Sequence, residues 1–298
     1  ELSVFDNNNR EVDWRNLGNY RLNTAQSTPR PINDGLRNAK LDVRRSLGFL
    51  PFPAAVQVGG LSRVKVRDVR RQSINWTYLG PDGNATTPDS PAPFGMRNYV
   101  NQPEFYGLSN LPWVSLYRAW DGFEANPGHW TKTPAQITTE EQFRINNSER
   151  LEEGVMSLYS QAELGLLQNR LRILTGVRFE RTTAKGEGVA YDPNAVWVRT
   201  ASGAFAHAAN GARIRRPEAG AAGSLEEVRL TRTDRGFRAN RSYDGYYPSV
   251  HVTWNLRENL LLRAAYARTY GRPDFPNLIP HATIDETDFD DNIPDPDN

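Results

Sequence analysis

Between Tyr246 and Ala267, apolar residues recur at every second position on both sides of a short polar turn. With a turn at Arg257-Glu258-Asn259, Leu256 meets Leu260, Trp254 meets Leu262, Val252 meets Ala264 and Val250 meets Tyr266. The other face then carries Ser249, His251, Thr253 and Asn255 against Arg263, Ala265 and Ala267. A period of two belongs to a β-strand with two unlike faces. A slip of one residue would turn every side chain over, so the agreement of both strands on one apolar face also sets the register.

Two further stretches behave in the same way. From Gly154 to Thr182, a two-residue turn at Gln168-Asn169 puts Leu166 opposite Leu171, Leu164 opposite Ile173, Ala162 opposite Thr175 and Leu158 opposite Phe179. Ser157, Tyr159, Gln161 and Glu163 share the other face with Arg172, Arg178 and Glu180. From Lys40 to Arg70, GFLPFP supplies the turn, and Val56, Val58, Val64 and Val66 oppose Gln57, Arg63, Lys65 and Arg67 across the strand. The reading is therefore all-β and antiparallel, about six strands in three hairpins near 40–70, 154–183 and 246–273.

Long polar stretches at about 71–150 and 184–241, rich in Pro, Gly, Asn, Asp and aromatics, separate the hairpins. Connections beyond about 15 residues are unusual in compact soluble domains. Short turns at one end of a sheet and long loops at the other are the habit of outer-membrane barrels. The composition fits: mean hydropathy is -0.66 and no apolar run approaches the ~18 residues of a membrane helix. A barrel strand hides its apolar surface in alternate positions. Tyr246 and Trp254 share a face, and eight residues at ~3.3 Å each, tilted near 45°, separate them by roughly 19 Å across a bilayer. The competing reading is a soluble β-sandwich whose apolar face packs on a second sheet, with loop tryptophans as sugar platforms in a carbohydrate-binding or carbohydrate-cleaving domain. A passive porin is a third. Lys+Arg of 36 against Asp+Glu of 35 gives no concentrated basic surface for nucleic acid. Cysteine is absent, which excludes disulfides, thiolate metal sites and a cysteine nucleophile.

YYPSVHVTWNLRENLLLRAAYARTYGRPDFPNLIP, Tyr246 to Pro280, resembles the mid-barrel region of TonB-dependent outer-membrane receptors, and LRILTGVRFERT, Leu171 to Thr182, resembles a barrel strand of the same family. The likeness extends over about Lys40 to Pro280. It implies a transmembrane barrel of about 22 strands around a plug, with long extracellular loops, placed in the bacterial outer membrane. It implies a TonB complex acting through the plug, outer-membrane lipid around the wall, and a small-molecule or glycan ligand. The cargo classes are iron-siderophore, cobalamin and glycan, imported without chemical change. About six strands, no glycine-rich plug sequence, no TonB-contacting box and no Met or basic-then-apolar leader at ELSVFDNNN mark the expectation of an internal piece.

Candidate binding residues lie in the first long loop: Trp113, Tyr117, Trp120, Asp121 and Trp130, with Trp76 beside them. Exposed aromatics there stack on sugars or on a siderophore's rings; the alternative is that they form the loop's own small core. Arg63, Lys65, Arg67, Arg172, Arg178, His251 and Arg263 are expected to face the lumen, where acidic groups of a plug would pair with them. The acidic run Asp285 to Asp297 mimics the start of a calcium loop at Asp288, Asp290 and Asn292, but Ile293 stands where glycine is needed. His129, His207, His251 and His281 lack metal-ligand spacing. Neither G-x-S-x-G nor a phosphate loop occurs, and the doublets Glu152-Glu153 and Glu226-Glu227, read as strand neighbours, point to opposite faces. No enzyme and no cofactor is implied.

Overall fold

A computed structural model describes residues 3–96, 111–271 and 282–283. The chain forms two units: Arg30–Arg71, Gln142–Gly220 and Glu226–Asn298 make the larger, and Glu1–Pro29, Gln72–Glu141 and Ala221–Leu225 the smaller.

The larger unit is an antiparallel meander of six strands: β1 (Ile32–Ser46), β2 (Ala54–Arg70), β3 (Ser148–Leu166), β4 (Leu171–Tyr191), β5 (Arg232–Arg257) and β6 (Leu260–Ala267). Each pairs with its neighbours in sequence, so β1 and β6 are the two edges of an open sheet. A two-residue strand, Ala282–Thr283, runs parallel to the end of β4 at Ala190 and Tyr191.

The second hairpin has the expected register, with Leu166 opposite Leu171 and Leu158 opposite Phe179. Its turn places Leu167, Gln168 and Asn169 in the left-handed region, at φ of 53°, 56° and 68°. The third hairpin keeps Val250 opposite Tyr266, Val252 opposite Ala264 and Trp254 opposite Leu262. At its tip the register shifts, and Arg257 rather than Leu256 faces Leu260. The cause lies next door: Arg170 donates from its side chain to the carbonyls of Asn255 and Leu256, and its own carbonyl accepts from Asn255 N. That tie holds the end of β5 to the preceding turn and bulges it.

Every hairpin is longer than the hydrophobic alternation indicated. The first starts at Ile32, the second spans Ser148 to Tyr191, and β5 starts at Arg232. The long connections shrink to 71–147 and 192–231. Alternation gave no signal because the face that carries the apolar belt turns ionic in those rows, with Arg181 beside Asp244 and Lys185 beside Glu152. Within EEVRLTRT, Glu226 and Glu227 are not strand neighbours but belong to the helix α3 (Leu225–Thr231), and TTEEQFRIN belongs to α2 (Pro134–Asn146). VWVRT lies outside β4, in short bridged segments.

The two faces of the sheet differ. One carries rows such as Leu166, Leu171, Trp254, Leu262 and Leu164, Ile173, Val252, Ala264, ending at Gly60, Leu158, Phe179, Tyr246. Large apolar groups on it stand open, with Leu158 at 58%, Tyr246 at 63% and Tyr266 at 65% exposure. From Leu166 to Leu158 the belt spans about 26 Å of strand. Phe179 and Tyr246, with ring centroids 5.2 Å apart, border it at the loop end, and Trp254 borders it at the turn end. The next row is already ionic, Arg181 lying 3.2 Å from Asp244. Beyond it Glu152 pairs with Lys185 and Glu187 with Arg238.

Where the strands run past the belt, Ile145 of α2, Val189 of β4 and Val228 of α3 form a small buried core. There β5 bulges between Thr233 and Phe237, and Arg235 adopts a φ of 53°. Its guanidinium reaches over β4 to donate to Asp68 of β2 at 2.6 and 3.1 Å, to Ser148 Oγ at 3.1 Å and to the Glu149 carbonyl at 3.2 Å. One side chain thereby clasps three strands.

Candidate ligand-recognition site

The smaller unit gathers aromatics from distant stretches. A three-stranded sheet joins Thr24–Ser27, Ile74–Tyr78 and Trp130–Thr131. Beside it lies α1 (Leu116–Ala125), whose Ser115 cap accepts from Arg118 N. Phe123 is the hub: its ring centroid is 5.5 Å from Trp76, 5.4 Å from Trp120 and 6.3 Å from Trp130. Tyr78 packs on Trp130 at 4.5 Å. Burial, with the charge of Asp89 behind it, pushes the Tyr78 phenol above its ordinary pKa. Gly122 is required for close approach, because a Cβ there would lie 2.6 Å from the Phe94 ring.

These rings leave a cavity of about 210 Å³, lined by Leu116, Ala119, Trp120 and Phe123 of α1, by Trp76 and Trp130, and by Ala25, Gln26 and Ser27. The α1 residues are spaced i, i+3, i+4, i+7, one helical face. Trp130 is 8% exposed and forms the inner wall, while Trp120 is 50% exposed and stands at the rim. Tyr117, at 84%, and Asp121 fall on a neighbouring face of α1 and do not line the cavity, nor does Trp113. Polar groups are few: Gln26 donates to Ser73 Oγ at 3.0 Å, and Lys132 Nζ lies 5.2 Å from the Trp76 centroid. A largely apolar, ring-walled space with sparse polar groups suits the flat face of a ring. Ala25, Gln26 and Ser27 were invisible to sequence reasoning, since no periodicity in that polar segment marks a strand.

On the sheet, Arg63, Lys65, Arg67, Arg172, Arg178, His251 and Arg263 all take the face opposite the apolar belt. Arg67 is bidentate to Asp34 at 2.6 and 2.7 Å, and Arg63 approaches Glu153 at 3.9 Å. Arg178 lies 3.5 Å from Glu180, which is 4% exposed and also accepts from the Tyr270 hydroxyl. Tyr270 stacks on Tyr247 at 4.9 Å, so a tyrosine cluster covers this carboxylate. Nearer the turns, Tyr159 donates to Asp42 at 2.6 Å and accepts from Gln57. Arg172 and Arg263 each lie opposite Thr253.

Glu152 and Glu153 occupy opposite faces of β3, whereas Glu226 and Glu227 are on α3, where Glu227 holds Arg215 at 2.7 Å. Among the described residues no cluster of three His, Asp or Glu groups is placed to hold a metal. His129, His207 and His251 sit in separate elements, and His281 and the acidic run 285–297 lie outside the described residues.

A family model described as TonB dependent receptor-like, beta-barrel, matches residues 2–297. No curated protein matches the chain. Among solved structures, the ferric-catecholate import receptor Fiu from E. coli, in its open form, is similar at 13% identity, with 82% of this chain and 35% of that chain covered and a TM-score of 0.28. The chain thus spans about a third of that receptor's length.

Proposed function

The chain belongs to the TonB-dependent receptor-like β-barrel family, and from that premise we propose that it supplies wall and outer loops of a bacterial outer-membrane receptor that binds a scarce nutrient and imports it on energy from TonB. The family is one of transporters, and no reaction on the cargo is part of this reading. The observation that carries it is the two-faced sheet. An exposed apolar belt bordered by aromatics meets lipid, and an opposite face of arginines, carboxylates and tyrosines meets water and a plug. In a soluble sandwich the same belt would be covered by a second sheet.

Within this reading the long loops lie outside the cell and the ring-lined cavity receives a planar part of the cargo. Trp120 and Trp130 act directly, as rim and inner wall, and Trp113, Tyr117 and Asp121 extend the surface around the opening. Arg63, Lys65, Arg67, Arg172, Arg178, His251 and Arg263 line the lumen and face the plug, several of them already paired within the wall, as Arg67 is with Asp34.

The test uses the full-length receptor in cells offered labelled ferric siderophores, cobalamin and malto-oligosaccharides. Uptake of one class is expected. It should stop when the proton gradient is dissipated, and Trp120→Ala should weaken cell-surface binding of that cargo tenfold or more, the loss of one stacking contact. Uptake that survives dissipation would identify a passive pore instead.

A further inference from the structure

The first hairpin and β3 together leave a hollow on the apolar face of the sheet. Its floor is Gly60 of β2, which lies in one row with Leu41 of β1 and Leu158 of β3. With no side chain at Gly60, a cavity of about 650 Å³ opens between Leu41, Val43, Val58, Met156 and Leu158. All five are well exposed, Leu41 most of all at 72%. The space is narrow at its centre, since a Cβ on Gly60 would stand 3.0 Å from the nearest Leu158 methyl. On the opposite face Tyr159 backs this floor: a Cβ on Gly59 would come within 2.5 Å of its ring, and its hydroxyl is held by Asp42 and Gln57.

The two ends of the hollow differ. Toward the turn it stops at the β-branched pair Val43 and Val58. Toward the loops it runs out between Ala39 and Ser62, a pair of small residues. The next row on the same face brings Arg37 of β1, about 13 Å of strand from Leu41. This is the ionic margin of the belt, and its other cations are matched. Arg181 has Asp244, Lys185 has Glu152, Arg238 has Glu187, and Arg70 and Arg150 share Asp68, all within 3.7 Å. Arg37 is exposed, its row continues as Val64 and Gly154, and among the described residues it has no carboxylate partner. An apolar recess whose open end leads to an unmatched guanidinium is the complement of a molecule with a hydrocarbon tail and an anionic head. A guanidinium holds a phosphate through two parallel N–H bonds, and the tail replaces water over the exposed Leu and Val side chains.

We infer that the Gly60 hollow and Arg37 form a binding site for one anionic membrane lipid, with an acyl chain laid in the hollow and the headgroup phosphate on Arg37. The site rests on the membrane reading given above. Full-length receptor in detergent is titrated with phosphatidylglycerol and with phosphatidylcholine, and the lipids that stay bound are counted by native mass spectrometry. One phosphatidylglycerol is expected to remain at concentrations where phosphatidylcholine is lost. Arg37→Gln should weaken that retention tenfold or more. Ser62→Leu keeps the charge but closes the passage between the hollow and Arg37, and should weaken it as well. Arg45→Gln removes an exposed arginine on the same strand and face, beyond Val43, and should leave retention unchanged. Insertion into phosphatidylcholine vesicles is measured alongside. A wild type that does not insert would refute the membrane reading, and the site with it. In a wild type that does insert, equal retention of the two lipids, retention undiminished in Arg37→Gln, or an equal loss in Arg45→Gln would overturn the site alone.

Discussion

Val252 and Thr253 are neighbours in β5 that point to opposite faces. Val252 sits in a row with Leu164, Ile173 and Ala264, three rows from the aromatic border at Tyr246 and one row from Trp254. Thr253 lies between Arg172 and Arg263 on the polar face. An arginine on the lipid face near the midplane of a barrel costs about 2–4 kcal/mol, falling toward zero near the interfaces. Val252 lies between that midplane and the Trp254 border, so in the full-length receptor Val252→Arg should lower the unfolding free energy in lipid vesicles by about 2 kcal/mol. Thr253→Arg should cost little, because its side chain stays on the polar face, in the row of Arg172 and Arg263. A larger loss at Thr253 would mean the faces have been assigned the wrong way round, and equal losses would mean that no membrane is involved. The faces were legible in the sequence because Val250, Val252 and Trp254 alternate with His251, Thr253 and Asn255 without a break. The shift at Leu256 was not, because its cause is a side chain, Arg170, that belongs to a different turn.

At the level of elements, the extension of β2 to β5 beyond the belt depends on polar ties in place of apolar rows. Asp68 is the centre, held by Arg235 and flanked by Arg150 at 3.6 Å and Arg70 at 3.5 Å. The hydrogen bond from Arg235 holds the Asp68 carboxyl below its ordinary pKa, against the opposing effect of burial. Asp68 lies eight residues past Gly60, which closes the belt, so this group is outside the apolar span. A depressed carboxylate stabilises the fold at every pH above its unfolded value, near 4, and the contribution fades as pH falls through the lower folded value. Hydrogen exchange of the β4–β5 ends should thus stay slow at neutral pH and quicken below about pH 4. In Arg235→Ala the same amides should exchange fast at all pH, with a loss of about 2 kcal/mol. Asp68→Asn should likewise remove the pH step, and a step that persists in it would exclude Asp68 as its source. None of this could be read from the chain. Asp68 and Arg235 are 167 residues apart, and the bulge that aims Arg235 breaks the alternation on which sequence reasoning relies.

For the whole molecule, the governing fact is an open sheet. Every residue of β1 and of β6 is exposed, and the apolar belt stands beside those bare edges. Unpaired strand edges are not tolerated in lipid, and in water an exposed belt promotes association. Residues 1–298 produced alone should give no single cooperative unfolding transition in plain buffer, and should stay dispersed only with detergent. A sharp two-state transition of a monomer there, by calorimetry and circular dichroism together, would contradict the barrel-wall reading. The six strands were countable in the sequence because each carries one apolar face through the belt, though not to its far end. The smaller unit was not, because it forms by pairing Thr24–Ser27 with Ile74–Tyr78 and that strand with Trp130–Thr131, polar segments with no shared period. That pairing bears on how such a receptor changes its diet. The floor of the cavity comes from before β1 and its rings from after β2, so neither segment carries the binding surface alone. A graft of the tryptophan-bearing loop into another receptor would arrive without its supporting strand, and new cargo preferences would have to be acquired, by recombination or by engineering, as a matched pair of segments.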